Sequence, residues 1–437
     1  MIGSIQNIPK IPELKKRILF TLAMLLVYRI GCNIPIPGIN GEALTELFSS
    51  QQGGLLAMYD MFSGGALENM SIMALGIMPY ITSSIILQLL AVVIPHLEKL
   101  KKEGEQGRKK ITQYTRYGTI ILSIIQGIGI AVGFQRMSSP SGAMIVTAGG
   151  VGFTVLTVIT LTAGTAFLMW LGEQITERGI GNGISLIIFS GIVAGFWPAI
   201  GKVLQLIEVG EITPFFMVLI IVVMVAVIGF VVFMERGQRR IPVQYAKRVV
   251  GRRMYGGQST HLPLKINASG VIPPIFASSL LMFPLTIKNL GILSDVEWFQ
   301  NIVDALNMGT ISYNLIYVIL IIFFCYFYTA VNYNPMDIAD NMKKQGGFIP
   351  GIRPGKSTAE YIDRVMTRLT FSGAIYIALV CILPQLLQTQ ANIPYYFGGT
   401  SLLIVVGVGM DTANQIESHM MMRHYEGFMK KGIGKHR

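Results

Sequence analysis

From Pro214 to Phe233 the chain reads PFFMVLIIVVMVAVIGFVVF, twenty residues without a charge. A helix of about 20 apolar residues crosses the hydrocarbon core of a bilayer. Only helices and closed barrels satisfy their backbone in lipid. The run is continuous rather than alternating, so it reads as a helix. Similar runs recur along the chain, giving ten expected spans: 18–36, 75–95, 117–135, 151–171, 183–200, 214–234, 268–287, 311–334, 369–388 and 398–418. Of the 437 residues, 52% are hydrophobic and 13% charged, against about 25% charged in a soluble domain. Lys15, Lys16 and Arg17 precede the first run, but GCNIPIPG follows it rather than a small-residue cleavage site, so it reads as an uncleaved span.

Charge orients these spans. With the N-terminus inside, the inner segments hold 4, 7, 1, 8, 6 and 5 Lys and Arg, and the outer ones 0, 1, 1, 1 and 0. Arg29 in the first span completes the 35. The positive-inside rule then places both ends in the cytoplasm. Five spans precede Thr213 and five follow, so the halves 1–213 and 214–437 enter with opposite orientation, the arithmetic of an inverted repeat.

Three inner stretches stand out: EKLKKEGEQGRKKITQYTR at 98–116, the segment 235–267, and 335–368. In the second, RRIPVQYA and STHLPLKI flank a Gly-Gly turn and read as a hairpin standing off the membrane, with Arg252 and Arg253 near its tip. In the third, Ile352-Arg353-Pro354-Gly355 is a turn that exposes Arg353. Basic tips suit an acidic partner, a motor protein or ribosomal RNA; they equally suit solvated linkers whose charge only sets topology. The segment 60–77, DMFSGGALENMSIMALGI, is too short and interrupted to span. It reads as an outer loop or as a short helix re-entering protein-lined space.

Chemistry is sparse. Cys32, Cys325 and Cys381 lie in or beside apolar runs without metal or redox spacing. No carboxylate or histidine falls at the centre of a confident span, which disfavours an ion-coupled transporter. Asp411 alone cannot make an intramembrane aspartyl protease. The GIGNG at 179–183 lacks the Lys-Ser/Thr of a phosphate loop. Gly127, Gly129 and Gly133 mark helix packing, and Gly191 with Gly195 forms a GxxxG. No cofactor and no enzymatic activity are expected. A passive ion channel, a secondary transporter and a membrane enzyme remain the competing readings. Isoleucines recur near helix breakers: Ile77 and Ile81 around Pro79, Ile184 and Ile188 after GIGNG, Ile275 after Pro273-Pro274. An apolar constriction of this kind gates by excluding water.

Several stretches together resemble the SecY family. GEQITERGIGNGIS at 172–185 is similar to that family's signature. So are CNIPIPGI at 32–39, MFSGGAL at 61–67, ALGIMPYI at 74–81, KKEGEQGRKKITQYTRYGT at 101–119, QSTHLPLKIN at 258–267, GVIPPIFASS at 270–279, IRPGKSTAEYI at 352–362 and YFGGTSLLIVV at 396–406. They follow family order over nearly the whole chain. The resemblance implies an all-α polytopic membrane protein with ten transmembrane helices in two inverted halves, a re-entrant plug helix and protruding cytoplasmic loops. It implies a protein-conducting channel in the bacterial plasma membrane that moves unfolded polypeptide across, or sideways into lipid. The partners implied are SecE, SecG, the SecA motor, the ribosome and signal sequences. By the same resemblance, Ile77, Ile81, Ile184, Ile188, Ile275 and Ile404 form a pore ring. Phe62, Ser63, Gly64 and Gly65 belong to a plug running to about Ser71. Gln88, Asn182 and Phe283 lie along a lateral gate between the halves. Arg252, Arg253, Arg353, Pro354 and Gly355 serve motor or ribosome docking.

Overall fold

The computed structural model describes residues 11–433 outside 51–54, 148, 211–212, 246–247, 251–252, 256–258, 290–295, 307–309 and 392–398. It is overwhelmingly helical. Each expected span carries a helix: α1 (Pro12–Gly31), α4 (Met78–Val93), α6 (Glu105–Arg136), α7 (Val151–Arg178), α8 (Gly183–Ala194), α10 (Pro214–Arg236), α11 (Ile272–Asn289), α13 (Ile311–Asn332), α15 (Lys356–Ala391) and α16 (Gly399–Ile433). Shorter helices lie between them: α2 (Gly41–Ser50), α3 (Leu55–Ser63), α5 (Pro95–Lys102), α9 (Phe196–Glu208), α12 (Glu297–Ala305) and α14 (Pro335–Lys344). Among the described residues six helices are long and apolar enough to cross a membrane, and seven if the pair α4–α5, bent by 101°, counts as one.

Prolines set many of the starts. Pro12, Pro79, Pro95, Pro214 and Pro335 each occupy a first-turn position, where a missing N–H costs nothing and the fixed φ suits a helix. The first span is displaced from its expected bounds. α1 begins at Pro12 and ends at Gly31, because Pro35 and Pro37 cannot continue a helix.

The chain divides into two units: Met1–Glu211 with Ser279–Tyr313 and Ile404–Arg437, and Ile212–Ser278 with Asn314–Leu403. In the first, α6 packs on α4 and α7, α7 on α8, and α1 on α7 and α8. Gly127 faces α7: a Cβ there would stand 3.5 Å from the Cα of Val158, in ordinary contact. Arg116 and Glu173 staple α6 to α7 through a bidentate pair at 2.8 and 2.7 Å. At one end of this unit the α1–α4 and α6–α7 connections form a cap. Its core joins Ile36, Leu44, Leu47 and Phe48 to Leu67, Met70, Ala74 and Leu75, and to Ala131, Phe134, Ile145, Val146, Phe153 and Leu161. Glu46 of α2 accepts hydrogen bonds from the hydroxyls of Ser139 and Ser141.

In the second unit, β1 (Gln238–Tyr245) pairs antiparallel with β4 (Ser259–Lys265), from Gln238 opposite Lys265 to Gln244 opposite Ser259. This is the expected hairpin. A smaller ladder, β2 (Arg248–Val250) with β3 (Arg253–Tyr255), lies inside it in sequence. β5 (Gly347–Phe348), from the next basic loop, adds to the other edge of β1, giving the order β4-β1-β5. Alternation along β1 turns Ile241 and Val243 inward. They join Leu264, Met342, Ile349, Ile362 and Met366 in one small core, so the two basic loops fold as a single body.

Candidate functional site

The segment 55–77 folds back into the cap. α3 has nine residues, about 13 Å of helix, far too short to span. It ends at Gly64 and Gly65, whose φ of +73° and +82° lie where only glycine sits without strain. The chain then turns through 66–70. Ile36 donates its N–H to the carbonyl of Met70 at 3.0 Å, and Ile72 to Ile34 at 3.0 Å. The Pro-rich 33–39 stretch thus serves as a strand-like partner for the returning chain instead of the end of a span.

A latch of backbone carbonyls holds the turn. The hydroxyl of Tyr28 donates to the carbonyl of Ser63 at 2.9 Å, in full burial. The guanidinium of Arg29 donates to the carbonyl of Gly64 at 2.8 Å. Both donors come from the last turns of α1. Asp60 completes the turn from α3: its carboxylate accepts the N–H groups of Leu67 and Glu68, each at 2.9 Å, and the hydroxyl of Ser63 at 3.3 Å. Burial of this carboxylate outweighs those bonds and pushes its pKa up to about 6, with Glu68 adding to the rise. From the other side comes α8. A Cβ on Gly64 would stand 2.7 Å from the Cα of Gly191. The GxxxG of α8 therefore serves, through Gly191, a helix-to-turn contact.

Of the four positions expected in a plug, Phe62, Ser63 and Gly64 are buried and Gly65 is half-buried. Arg29 was visible in the sequence as a charge within a span, and Gly191 as half of a GxxxG, though not as the seat of a turn. Tyr28 and Asp60 carried no comparable signal.

The isoleucines are largely withdrawn from water. Ile77 precedes the first turn of α4 and is 1% exposed; Ile404, in α16, is also 1% exposed. Ile81, Ile188 and Ile275 are buried and Ile184 is half-buried. The GIGNG signature is a joint. Ile180 N–H donates to Thr21 Oγ1 at 3.1 Å, Gly181 N–H to Gln415 Oε1 at 2.9 Å and Gly183 N–H to Thr176 Oγ1 at 2.9 Å. Three helices, α1, α16 and α7, thereby fix the start of α8. Asn182 caps that start, its side-chain oxygen accepting from Ile184 and Ser185. Gln88 is half-buried on α4 and donates to Ser84 Oγ at 3.2 Å. Phe283 lies in α11, but its side chain is outside the described residues.

On the basic loops, Arg353 and Pro354 are exposed and Gly355 turns at φ +106°. The carbonyl of Arg353 accepts the Thr358 hydroxyl at 3.0 Å, which ties the exposed turn to the start of α15. Arg252 lies outside the described residues, and Arg253 opens β3 without a described side chain. Among the described residues no cluster of His, Cys, Asp or Glu could hold a metal.

A bundle of long apolar helices, a segment folded back into its own cap and a small basic body together define a polytopic helical membrane protein of the channel class. A model of the SecY family matches residues 71–413. The chain belongs to the SecY family. It is 55% identical over 420 residues to the protein translocase subunit SecY of Escherichia coli (strain K12), covering 96% of this chain and 94% of that protein. A solved structure described as the plug domain of the SecY protein, stabilising the closed state of the translocation channel and maintaining a membrane seal, aligns with a TM-score of 0.67 at 20% identity, over 93% of this chain and 92% of that one. Sec61 in the canine ribosome-channel complex from the endoplasmic reticulum aligns at 0.63 and 18% identity, over the same shares. At these identities the structural likeness speaks for the fold.

Proposed function

We propose that this chain is a protein-conducting channel that passes unfolded secretory polypeptides across the bacterial plasma membrane and releases apolar segments into lipid. One observation carries the reading: a segment belonging to no span is folded back into the cap of a membrane bundle and held there by two donors acting on two adjacent carbonyls. Such a seat suits a seal that closes the channel at rest.

In this reading the ten spans form two inverted halves, 1–213 and 214–437, with both termini in the cytoplasm. Ile77, Ile81, Ile184, Ile188, Ile275 and Ile404 line an apolar constriction. Apolar side chains close around any sequence without specific bonds, and a dry constriction blocks ions at rest. Phe62 to Ser71 is the plug. Gln88, Asn182 and Phe283 lie on the path by which a signal sequence, favourable in lipid, opens the gate. The chain itself carries no energy source. Arg252, Arg253 and the turn Arg353-Pro354-Gly355 dock the SecA motor or the ribosome, and SecE and SecG complete the complex. The family membership and the ribosome-bound state of the canine Sec61 neighbour support these partners.

The reading is tested at Ile404. A polar replacement, Ile404→Asn, loosens the constriction, so reconstituted vesicles transport precursors with defective signal sequences and leak ions. Unchanged signal stringency together with unchanged leak would remove Ile404 from the constriction.

A further inference from the structure

α8 does not stop at Ala194. Gly195 keeps helical dihedrals (φ −66°, ψ −14°), its N–H reaches the carbonyl of Ile192 at 3.1 Å, and Ala199 N–H returns to Gly195 O at 3.3 Å. The helical path from Gly183 through Gly195 to Glu208 has 26 residues, at most about 39 Å at 1.5 Å each, with one hydrogen bond lost at Pro198. A hydrocarbon core is about 30 Å thick, so the far turns of α9 must leave it.

Those turns are not polar. Trp197, Ile200 and Leu204 follow one another at helical spacing and are 77%, 47% and 49% exposed. Ala199 is buried on the opposite side, and Ile207, seven residues on from Ile200 on the same face, is half-buried. Glu208, one turn beyond Leu204, is exposed on the same face and marks where it meets water. A tryptophan at the end of a span followed by an apolar stripe is the pattern of the bilayer interface, where an indole lies with its ring in the acyl boundary and its N–H among headgroups.

We propose that α9 is an interfacial lipid anchor, with Trp197, Ile200 and Leu204 seated in the headgroup–acyl boundary of the cap-side leaflet. The occupant is phospholipid because the face continues directly from a helix long and apolar enough to cross a membrane. The inference rests on the bundle spanning a membrane and not on what the channel carries, so it stands or falls apart from the transport reading.

The chain has three tryptophans, so Trp170→Phe with Trp298→Phe leaves Trp197 as the sole indole. In vesicles with the cap face outward, phosphatidylcholine brominated near the headgroup should quench Trp197 strongly. Chain-end bromine should quench it less, and iodide in the outer water hardly at all. Quenching by iodide without quenching by either lipid would overturn the anchor in favour of a water-exposed face. Protection from all three would overturn it in favour of a protein covering the helix. A second measurement does not need the tryptophan variants. The native cysteines Cys32, Cys325 and Cys381 are buried, so Ile200→Cys and Gln205→Cys can be compared with an impermeant thiol reagent. Slow labelling at 200 beside fast labelling at the exposed 205 fits the anchor; equally fast labelling overturns it.

Discussion

Gly191 of α8 occupies the space that a side chain on Gly64 would need. A Cβ on Gly64 would lie 2.7 Å from the Gly191 Cα, and one on Gly191 would lie 3.1 Å from the Gly64 Cα and 3.2 Å from the Tyr28 hydroxyl. These two glycines let the turn at 63–65 settle between α1 and α8, close enough for Tyr28 and Arg29 to reach its carbonyls.

Gly191→Ala should therefore lift the turn. Forcing a methyl into a close contact costs about 1–3 kcal/mol, here paid by the latch and not by the bundle. The expected result is a folded channel with a raised resting ion leak in vesicles. Gly201→Ala, where nothing lies within 4 Å, serves as the control and should leave the leak unchanged. Equal leaks in the two variants would detach Gly191 from the seal.

Asp60 makes the latch sensitive to pH in a defined direction. Its pKa rises from 3.8 to about 6, so the folded turn binds a proton more tightly than the unfolded chain does. The stabilisation is fully present below the unfolded value and is lost as pH rises through about 6. Amide protection factors at Leu67 and Glu68 should be higher at about pH 5 than at about pH 7.5. Asp60→Asn keeps the acceptor for both amides and removes the charge. It should hold the turn at neutral pH and flatten the dependence. A variant as pH-sensitive as the parent would assign the effect to another group.

Arg353 stands exposed on a turn tied to α15 through its own carbonyl. Arg353→Glu alters the charge offered to a partner without touching that bond. Motor-driven transport in reconstituted vesicles should stop, with thermal stability unchanged. Unimpaired transport would refute a docking role.

How much of this was readable in advance depends on what kind of partner each residue uses. The run Pro214–Phe233 declares a span because lipid demands apolar side chains over a fixed length. The pairing of β1 with β4 was legible in two β-prone runs, but its register was not, because a second ladder, β2 with β3, lies between them. The span ends were less legible: α6 starts at Glu105 and α15 at Lys356, well before their apolar parts, since hydropathy marks the membrane and not the helix. That Ile241, Val243 and Leu264 share a core with Met342, Ile349 and Ile362 is a long-range fact without local pattern. Most of the latch was hidden. Tyr28 donates to a carbonyl and Asp60 accepts two backbone amides, and main-chain partners leave no letter in the sequence; Gly191 was visible only as a helix-packing motif.

The central claim is that an unfolded chain passes between the isoleucines. A photoreactive residue placed at Ile81, and separately at Ile275, should crosslink to a secretory polypeptide stalled in transit, and to nothing when the channel rests. Crosslinks absent from both positions while transport proceeds, with the stalled chain captured elsewhere, would contradict the account.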